Sequence, residues 1–373
     1  MAFLTDLPTE LLQHIISFLE DSEPPSIQHL HEEPSEALLN SPHHPIKDLS
    51  RICHRLHQTT FPTLFTNLKV SLDTIDDILP FITQHSFRTK VSTLLLHATT
   101  QALETAKTLS ISTDVRPWVR ILALIESADP HALTILLPPS AFEYILPYDL
   151  RLSDEWAFNI PYQLLHLSHM RDPIRATLDA VPATDQNIFQ VRPWTHCIYN
   201  EGSSIRAYST YEYFHKRGPS LLNPQKPAEM VHFLLECAPH ITSFDFIAVF
   251  PFPHSDMCQS HTRKLTRFLT YMARNLKHLR IQLAPSSDNG ILDDTEALGT
   301  CQRSDLWTEF ENAYALLMRR LDVGGLKCLT GFTILDYKNP GLRDVIDRVV
   351  GGYVFTGERE WRHEGDGRWN KIE

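Results

Sequence analysis

Four side chains able to bind a metal fall close together at His254-Ser-Asp256-Met-Cys258-Gln-Ser-His261. Imidazole, carboxylate and thiolate are the donors of a zinc site, but such sites pair ligands from two separated places. No second pair stands elsewhere, and the segment, following Pro251 and Pro253, reads as a polar loop. Cys53 beside His54 and His57 suggests thiol–imidazole chemistry. At helical spacing, however, Cys53 falls on the apolar side and His54 on the polar side, so a packed thiol and a solvated imidazole are expected. The acidic run Asp288 to Glu296 lacks the alternating oxygen ligands of a calcium loop and reads as exposed. No GxSxG elbow, GxxxxGK[ST] loop, GxGxxG turn or HExxH helix occurs. Gly324-Gly325 and Gly351-Gly352 are isolated and read as turns. The chain is expected to be no enzyme and to need no cofactor or metal.

The composition bounds the remaining classes. With 42% hydrophobic and 21% charged residues, the 373-residue chain can bury a sizeable core and is too apolar for disorder. A net charge of -11 gives no basic field for nucleic acid. No apolar run is long enough for a membrane span. Asp6 and Glu10 interrupt any apolar leader, so no export signal is expected. The six cysteines contain no CxxC pair and read as reduced thiols, which fits the cytoplasm or nucleus. The 25 prolines against 13 glycines argue for many short elements over a long helical bundle.

Two elements stand out at the start. Leu7, Leu11, Ile15 and Phe18 or Leu19 recur at helical spacing, widened by Leu12 and Ile16, with Pro8 tolerated in a first turn. Residues 21–46 change to a polar, proline-rich insertion (Glu23-Pro-Pro, Glu32-Glu-Pro, Ser41-Pro-His-His-Pro). It reads as a flexible loop with one short helix near Ser35 to Leu39. Ile46, Leu49, Ile52, Cys53 and Leu56 form a second helical stripe, followed by Phe61, Leu64, Phe65 and Leu68. Helices this short cannot bury both stripes against each other, so a following domain or a partner must cover the rest.

Leu7-Pro-Thr-Glu-Leu-Leu-Gln-His-Ile-Ile-Ser-Phe-Leu19 resembles the opening of an F-box. Lys47-Asp-Leu-Ser-Arg-Ile-Cys-His-Arg-Leu-His57 resembles its second half, and Phe61 to Leu68 its tail. The loop at 21–46 is longer than the usual connection, a place where fungal F-box proteins often carry insertions. The resemblance implies a helical module over residues 1–70 that docks on the Skp adaptor and, through it, on the cullin core of an SCF-type ubiquitin ligase. By position, Leu7, Pro8, Leu11, Ile15, Leu19, Leu49, Ile52, Cys53 and Leu56 would supply core or interface contacts, and spacing does not separate the two.

Beyond residue 70, several segments fit apolar-x-x-apolar-x-apolar, the strand signature of leucine-rich repeats. They are Phe65-Leu68-Val70, Val91-Leu94-Leu96, Ala132-Ile135-Leu137, Ile241-Phe244-Phe246, Leu276-Leu279-Ile281 and Leu329-Phe332-Ile334, with Leu164-Leu167 and Ile205-Tyr208 weaker. The pattern arises often by chance at this composition. Its weight comes from helical stripes ahead of three strands: Val119 to Ile125, Met230 to Cys237 and Leu265 to Met272. Strands alternating with helices imply a parallel sheet with right-handed crossovers. The spacing is irregular, and the repeat asparagine is missing, since His97, Ala98 and Thr99 follow the second strand. The expected fold is α/β: the F-box followed, over 71–373, by an irregular leucine-rich-repeat-like α/β solenoid. A non-repetitive α/β or α+β domain is the alternative. Gly365-Asp-Gly367 between Trp361 and Trp369 predicts a C-terminal β-hairpin cap with the two indoles close together.

In such a solenoid His97, Ser209, Tyr211, Asp245, Arg280 and Gln282 would face the concave side, with Leu95, Leu136, Ile247 and Leu335 nearby. The expected function is that of an adaptor which docks on Skp and presents a target protein, itself unspecified by the sequence, on this surface. A Skp-bound protein without a ligase role is the alternative, and an enzyme with an unrecognised site the least favoured reading.

Overall fold

The computed structural model describes residues 4, 7–19, 29–39, 45–85, 87, 90–98, 117–146, 148–169, 188–226, 240–248, 265, 269, 275–285, 290–299, 301–324, 328–356 and 361–372. The metal candidate at 254–261, the helical stripe at 230–237 and most of that at 265–272 lie outside them. Three helices open the chain: α1 (Thr9–Leu19), α2 (Pro45–Ser50) and α3 (His54–Leu64). The second apolar stripe therefore forms two helices. The chain breaks at Arg51-Ile52 and turns extended at Cys53, which caps α3 with φ -158°. Leu12, Ile16, Ile46 and Leu56 are buried, and Arg55 ties α3 to the start of α1 through a 2.6 Å hydrogen bond to the Leu7 carbonyl. The far end of α3 joins the rest of the molecule through aromatic rings. Phe61, Phe65, Phe81 and Phe87 pack with their rings tilted against one another, with Phe65 and Phe87 centroids 4.5 Å apart.

One ten-stranded sheet follows. Its strands are β1 (Asn67–Ser71), β2 (Thr93–His97), β3 (Ala132–Leu137), β4 (Gln163–Ser168), β5 (His196–Asn200), β6 (Ser243–Ile247), β7 (His278–Gln282), β8 (Gly331–Ile334), β9 (Trp361–Gly365) and β10 (Arg368–Lys371). Spatial order is sequence order except that β10 lies between β8 and β9. The strand segments read from the sequence fall on β1, β2, β3, β6, β7 and β8, and Leu164-Leu167 falls on β4. Ile205-Tyr208 does not form a strand. It enters a 3₁₀ turn at Arg206–Ser209, and the strand before it is β5.

The sheet is mostly parallel. β4 runs antiparallel to both neighbours, and β10 to both of its own. The β3–β4 connection among the described residues holds only short 3₁₀ turns. Five parallel junctions share one device. The carbonyl before each strand accepts two N–H groups of the next strand's start: Thr66 from Ser92 and Thr93, Ser92 from His131 and Ala132, Thr195 from Thr242 and Ser243, Thr242 from Lys277 and His278, and Lys277 from Thr330 and Gly331, all at 2.8–3.1 Å.

Register gives the two faces different characters. On one, Leu94, Leu133, Leu167, Cys197, Phe244, Leu279, Phe332 and Trp369 stand in line, with Leu96, Ile135, Leu165, Tyr199, Phe246, Ile281 and Ile334 beside them. The helices pack here: α4 (Ile75–Gln84), α5 (Pro117–Ala128), α6 (Thr295–Leu298), α7 (Arg303–Gly324) and α8 (Pro340–Thr356). Ile121, Ile125, Phe310, Tyr314, Leu342 and Ile346 complete this core. Gly351 and Gly352, read from the sequence as a turn, lie inside α8, where Val350 and Ile346 bury against the core and override the local preference of glycine. No helix among the described residues is long and apolar enough to cross a membrane.

The β9–β10 hairpin seals the last strand, as the glycines predict: Gly365, Asp366 and Gly367 all have positive φ. Trp369 lies opposite His363, its ring stacked on the imidazole at 4.7 Å, while Trp361 lies opposite Lys371. The two indoles are thus offset by two residues along the hairpin, diagonal to each other and not directly paired. A Cβ on Gly367 would stand 2.5 Å from the Ile334 carbonyl oxygen and 2.5 Å from Tyr337 Cβ, whereas one on Gly365 would meet nothing. Gly367→Ala is expected to cost about 3 kcal/mol, and Gly365→Ala about 1 kcal/mol from its backbone conformation alone. Urea unfolding of the two variants measures the difference.

Candidate functional site

The N-terminal helices bury one face and leave another bare. On α1, Leu12 and Ile16 point inward, whereas Leu11 is 49% and Phe18 75% exposed. Leu11, Ile15 and Phe18 recur at i, i+4 and i+7 and share a helix side. Ile52, on the break between α2 and α3, is 66% exposed, and Leu4 is also exposed. Of the positions read as docking residues, Leu11, Ile52 and Pro8 are exposed, and Leu7, Ile15, Leu19, Leu49 and Cys53 are half-buried. Leu56 is buried at 1% exposure and belongs to the core, because α3 turns it towards α1 and α2. Phe18, and not Leu19, is the bare side chain at the end of α1. Neighbouring His54 is exposed, as its helix position predicts, whereas Cys53 is only half-buried and lies on the extended break before α3, not on a helix face.

The second face of the sheet is not open. Leu136, Leu164, Ile198 and Ile247 project from β3, β4, β5 and β6 and form an apolar patch there with Tyr162. Leu30, from the insertion between α1 and α2, is buried in this patch, and Leu38 and Leu39 pack beside it. Residues 29–39 therefore cross the sheet as a strap, with 3₁₀ turns at His29–His31 and Glu36–Leu39. Polar contacts hold its length. Asn200 Nδ2 donates to the carbonyls of Leu30 at 3.0 Å and Glu32 at 2.7 Å. The Ser203 N–H donates to Glu33 Oε1 at 2.9 Å, Tyr162 donates to Glu36 Oε1 at 2.5 Å, and Lys69 Nζ donates to the Leu39 carbonyl. The described part of the insertion is thus docked, not a free loop.

Beside the patch lies a charged centre. Asp245, on β6, has no solvent-exposed side-chain surface. Its Oδ2 accepts from His31 Nε2 of the strap at 2.8 Å and lies 3.3 Å from Arg280 Nη1, and His196 Nε2 lies 3.4 Å from its Oδ1. Burial pushes the Asp245 carboxyl up, but the bonds and charges of His196, His31 and Arg280 outweigh it and hold the group below the usual carboxylate range. Burial, with His196 and His31 nearby, pushes the His166 imidazole down to about 3, so it is neutral, and Thr134 Oγ1 lies 2.9 Å from its Nδ1. Among the described residues no group of three or more His, Cys, Asp or Glu is arranged to hold a metal.

The proposed target surface is therefore rearranged. Asp245 and Gln282 are buried, Arg280 and half-buried His97 remain on the face, and Gln282 turns to donate to the Ala284 carbonyl. Ser209 and Tyr211 lie outside the strands, in the 3₁₀ segment and the turn after β5, so they do not belong to this face; Tyr211 is 87% exposed. Leu136 and Ile247 are covered by Leu30, and Leu335 opens the 3₁₀ turn after β8. The residues that sequence reasoning missed are His31, Glu33, Asn200, His196 and His166. Cys197-Ile-Tyr199 carried a strand signal that would have placed His196 and Asn200 on the sheet, and the Leu164-Leu167 pattern would have placed His166.

Burial raises the Glu33 carboxyl to about 7, against the lowering effect of the Ser203 N–H. A raised acid favours the docked strap fully below the ordinary carboxylate range, and that stability is lost as pH rises towards 7. Glu33→Gln is expected to stabilise the protein by roughly 1 kcal/mol or more at about pH 8 and hardly at all at about pH 4. Urea unfolding at both pH values checks it. Buried Asp336, also raised to about 7, cancels in this comparison because it is present in both proteins.

No family model, curated protein sequence or solved structure matches the chain.

Proposed function

We propose that the chain is the target-recognition subunit of an SCF-type ubiquitin ligase. Residues 1–70 act as an F-box that docks on the Skp adaptor, and the α/β domain, a degenerate leucine-rich-repeat-like solenoid, presents a target protein. The observation that carries this reading is the bare aliphatic and aromatic side of the N-terminal helices, Leu11, Phe18 and Ile52, on elements whose other side is fully packed. Isolated apolar side chains are ordinary at a surface, but several on one small module mark an interaction site. The repeated carbonyl junctions and the sequential strand order support the solenoid. The chain itself carries out no bond chemistry and raises the concentration of target lysines near the transferred ubiquitin. Its compartment is the reducing one where such ligases work. Co-purification with recombinant Skp adaptor tests the docking half: a folded wild-type chain that does not bind overturns it.

The strap across the sheet favours a second reading, an adaptor-bound protein that recruits no target. Ubiquitination of captured proteins by the reconstituted ligase separates the two.

A further inference from the structure

We propose that the strap is a resident mimic of the segment this face takes from its partner: a peptide carrying an aliphatic anchor, a carboxylate three positions later and a second carboxylate three beyond that. In the strap these are Leu30, Glu33 and Glu36, joined by Pro34. This deepens the recognition half of the reading above and rests on it.

Three observations carry the inference. The first is the pocket. Four aliphatic side chains on four adjacent strands face away from the helical core, in rows otherwise occupied by Lys69, Thr134, His166, Asp245 and Arg280. One buried leucine fills that pocket, as a peptide anchor would. The second is the manner of attachment. Among the described residues the strap makes no backbone–backbone hydrogen bond with the sheet; those it has are local, Glu32 to His29 and Leu38 to Ser35. It is held by Asn200, the Ser203 N–H, Tyr162, Lys69 and, through His31, Asp245. Asn200 and Lys69 would meet the carbonyls of any peptide in that conformation, whereas the Ser203 N–H and Tyr162 call for its two carboxyls. The third is charge. The strap carries Glu32, Glu33 and Glu36 across a face that holds Lys69 and Arg280. Burial favours the neutral acid at Glu33, and a partner carboxyl placed there meets the same cost. A partner peptide competes against a ligand tethered at both ends, whose effective concentration is high.

The test uses the full-length chain and a variant in which residues 29–39 are replaced by a Gly/Ser segment of equal length. The probes are a fluorescent peptide of the sequence His29–Leu39, the same peptide with Leu30→Asp, and a pared peptide that keeps only Leu30, Glu33, Pro34 and Glu36 on an alanine background. Anisotropy is expected to show the first and third peptides binding the variant, and binding the wild type at least about tenfold more weakly. The Leu30→Asp peptide should bind neither. A folded variant that ignores both peptides, or accepts the Leu30→Asp peptide equally, overturns the proposal, as does equal binding by the wild type. Should the variant not fold, hydrogen exchange of the wild type decides. Strap amides that open at least about 100-fold more often than the β5 and β6 amides support a displaceable strap, and amides that open only together with those strands overturn it. No adaptor is present in either measurement, so the peptide site can fail while Skp docking holds, and the reverse.

Discussion

Ile52→Asp is expected to abolish co-purification with the Skp adaptor, a loss of at least about 100-fold, while thermal unfolding stays within about 0.5 kcal/mol of wild type. The asymmetry follows from position. Ile52 is two-thirds exposed, on the break between α2 and α3, so a carboxylate there stays hydrated in the free chain. In a complex the same carboxylate would be stripped of water against aliphatic side chains with no partner, which costs several kcal/mol. Leu11→Asp, at 49% exposure, is expected to follow it. Leu56→Ala should do the opposite. It empties a fully buried site and is expected to lower stability by about 3 kcal/mol, reducing binding only through the unfolded fraction. If Ile52→Asp binds like wild type, the bare side of these helices is not where the adaptor docks.

Asp245→Ala is expected to lower stability by about 3 kcal/mol, the second large effect. The buried carboxylate meets His31, His196 and Arg280. Without it, the guanidinium and the two imidazoles lose that partner, and the strap loses its His31 anchor. Asp245→Asn keeps the shape and an acceptor, and should lose less. The sign with pH is fixed by the lowered carboxyl. Its contribution is present above the ordinary carboxylate pKa of about 4 and is lost as pH falls through its lower folded value, so wild type and Asp245→Asn should converge in strong acid. Urea unfolding from neutral pH downward measures this. A constant difference across that range would mean that packing, not charge, holds the site.

The strands were legible because their signal is local. Leu94 and Leu96, Phe244 and Phe246, or Phe332 and Ile334 each alternate onto the core face within a few residues, and the parallel register then lines them up. The direction of β4 was not legible, since Leu164-Leu-His-Leu167 carries the same alternation either way round. The bare side of the N-terminal helices was half legible: spacing identified the stripe on α1 but could not say that Leu11 and Phe18 turn outward while Leu12 and Ile16 turn in. Of the strap, only the short helix near Ser35 to Leu39 was legible, and it is the 3₁₀ turn Glu36–Leu39. Its docking was not, because Pro34 and the glutamates read as solvent-loving and Leu30 has no period. What fixes it are partners far along the chain, such as His31 with Asp245 at a separation of 214 residues. Local pattern carries nothing about such pairs.

The forked carbonyls between parallel strands have a consequence for chain length. Each one sets where the next strand begins, directly on its predecessor, so alignment does not depend on how long the intervening segment is. A longer connection then costs only the entropy of closing a larger loop, about 0.6 kcal/mol for each doubling. An uneven ruler in sequence can thus yield an even lattice in space. Peptide tags or whole domains spliced between the strands should leave the sheet in step, provided those five oxygens keep their pairs of amides.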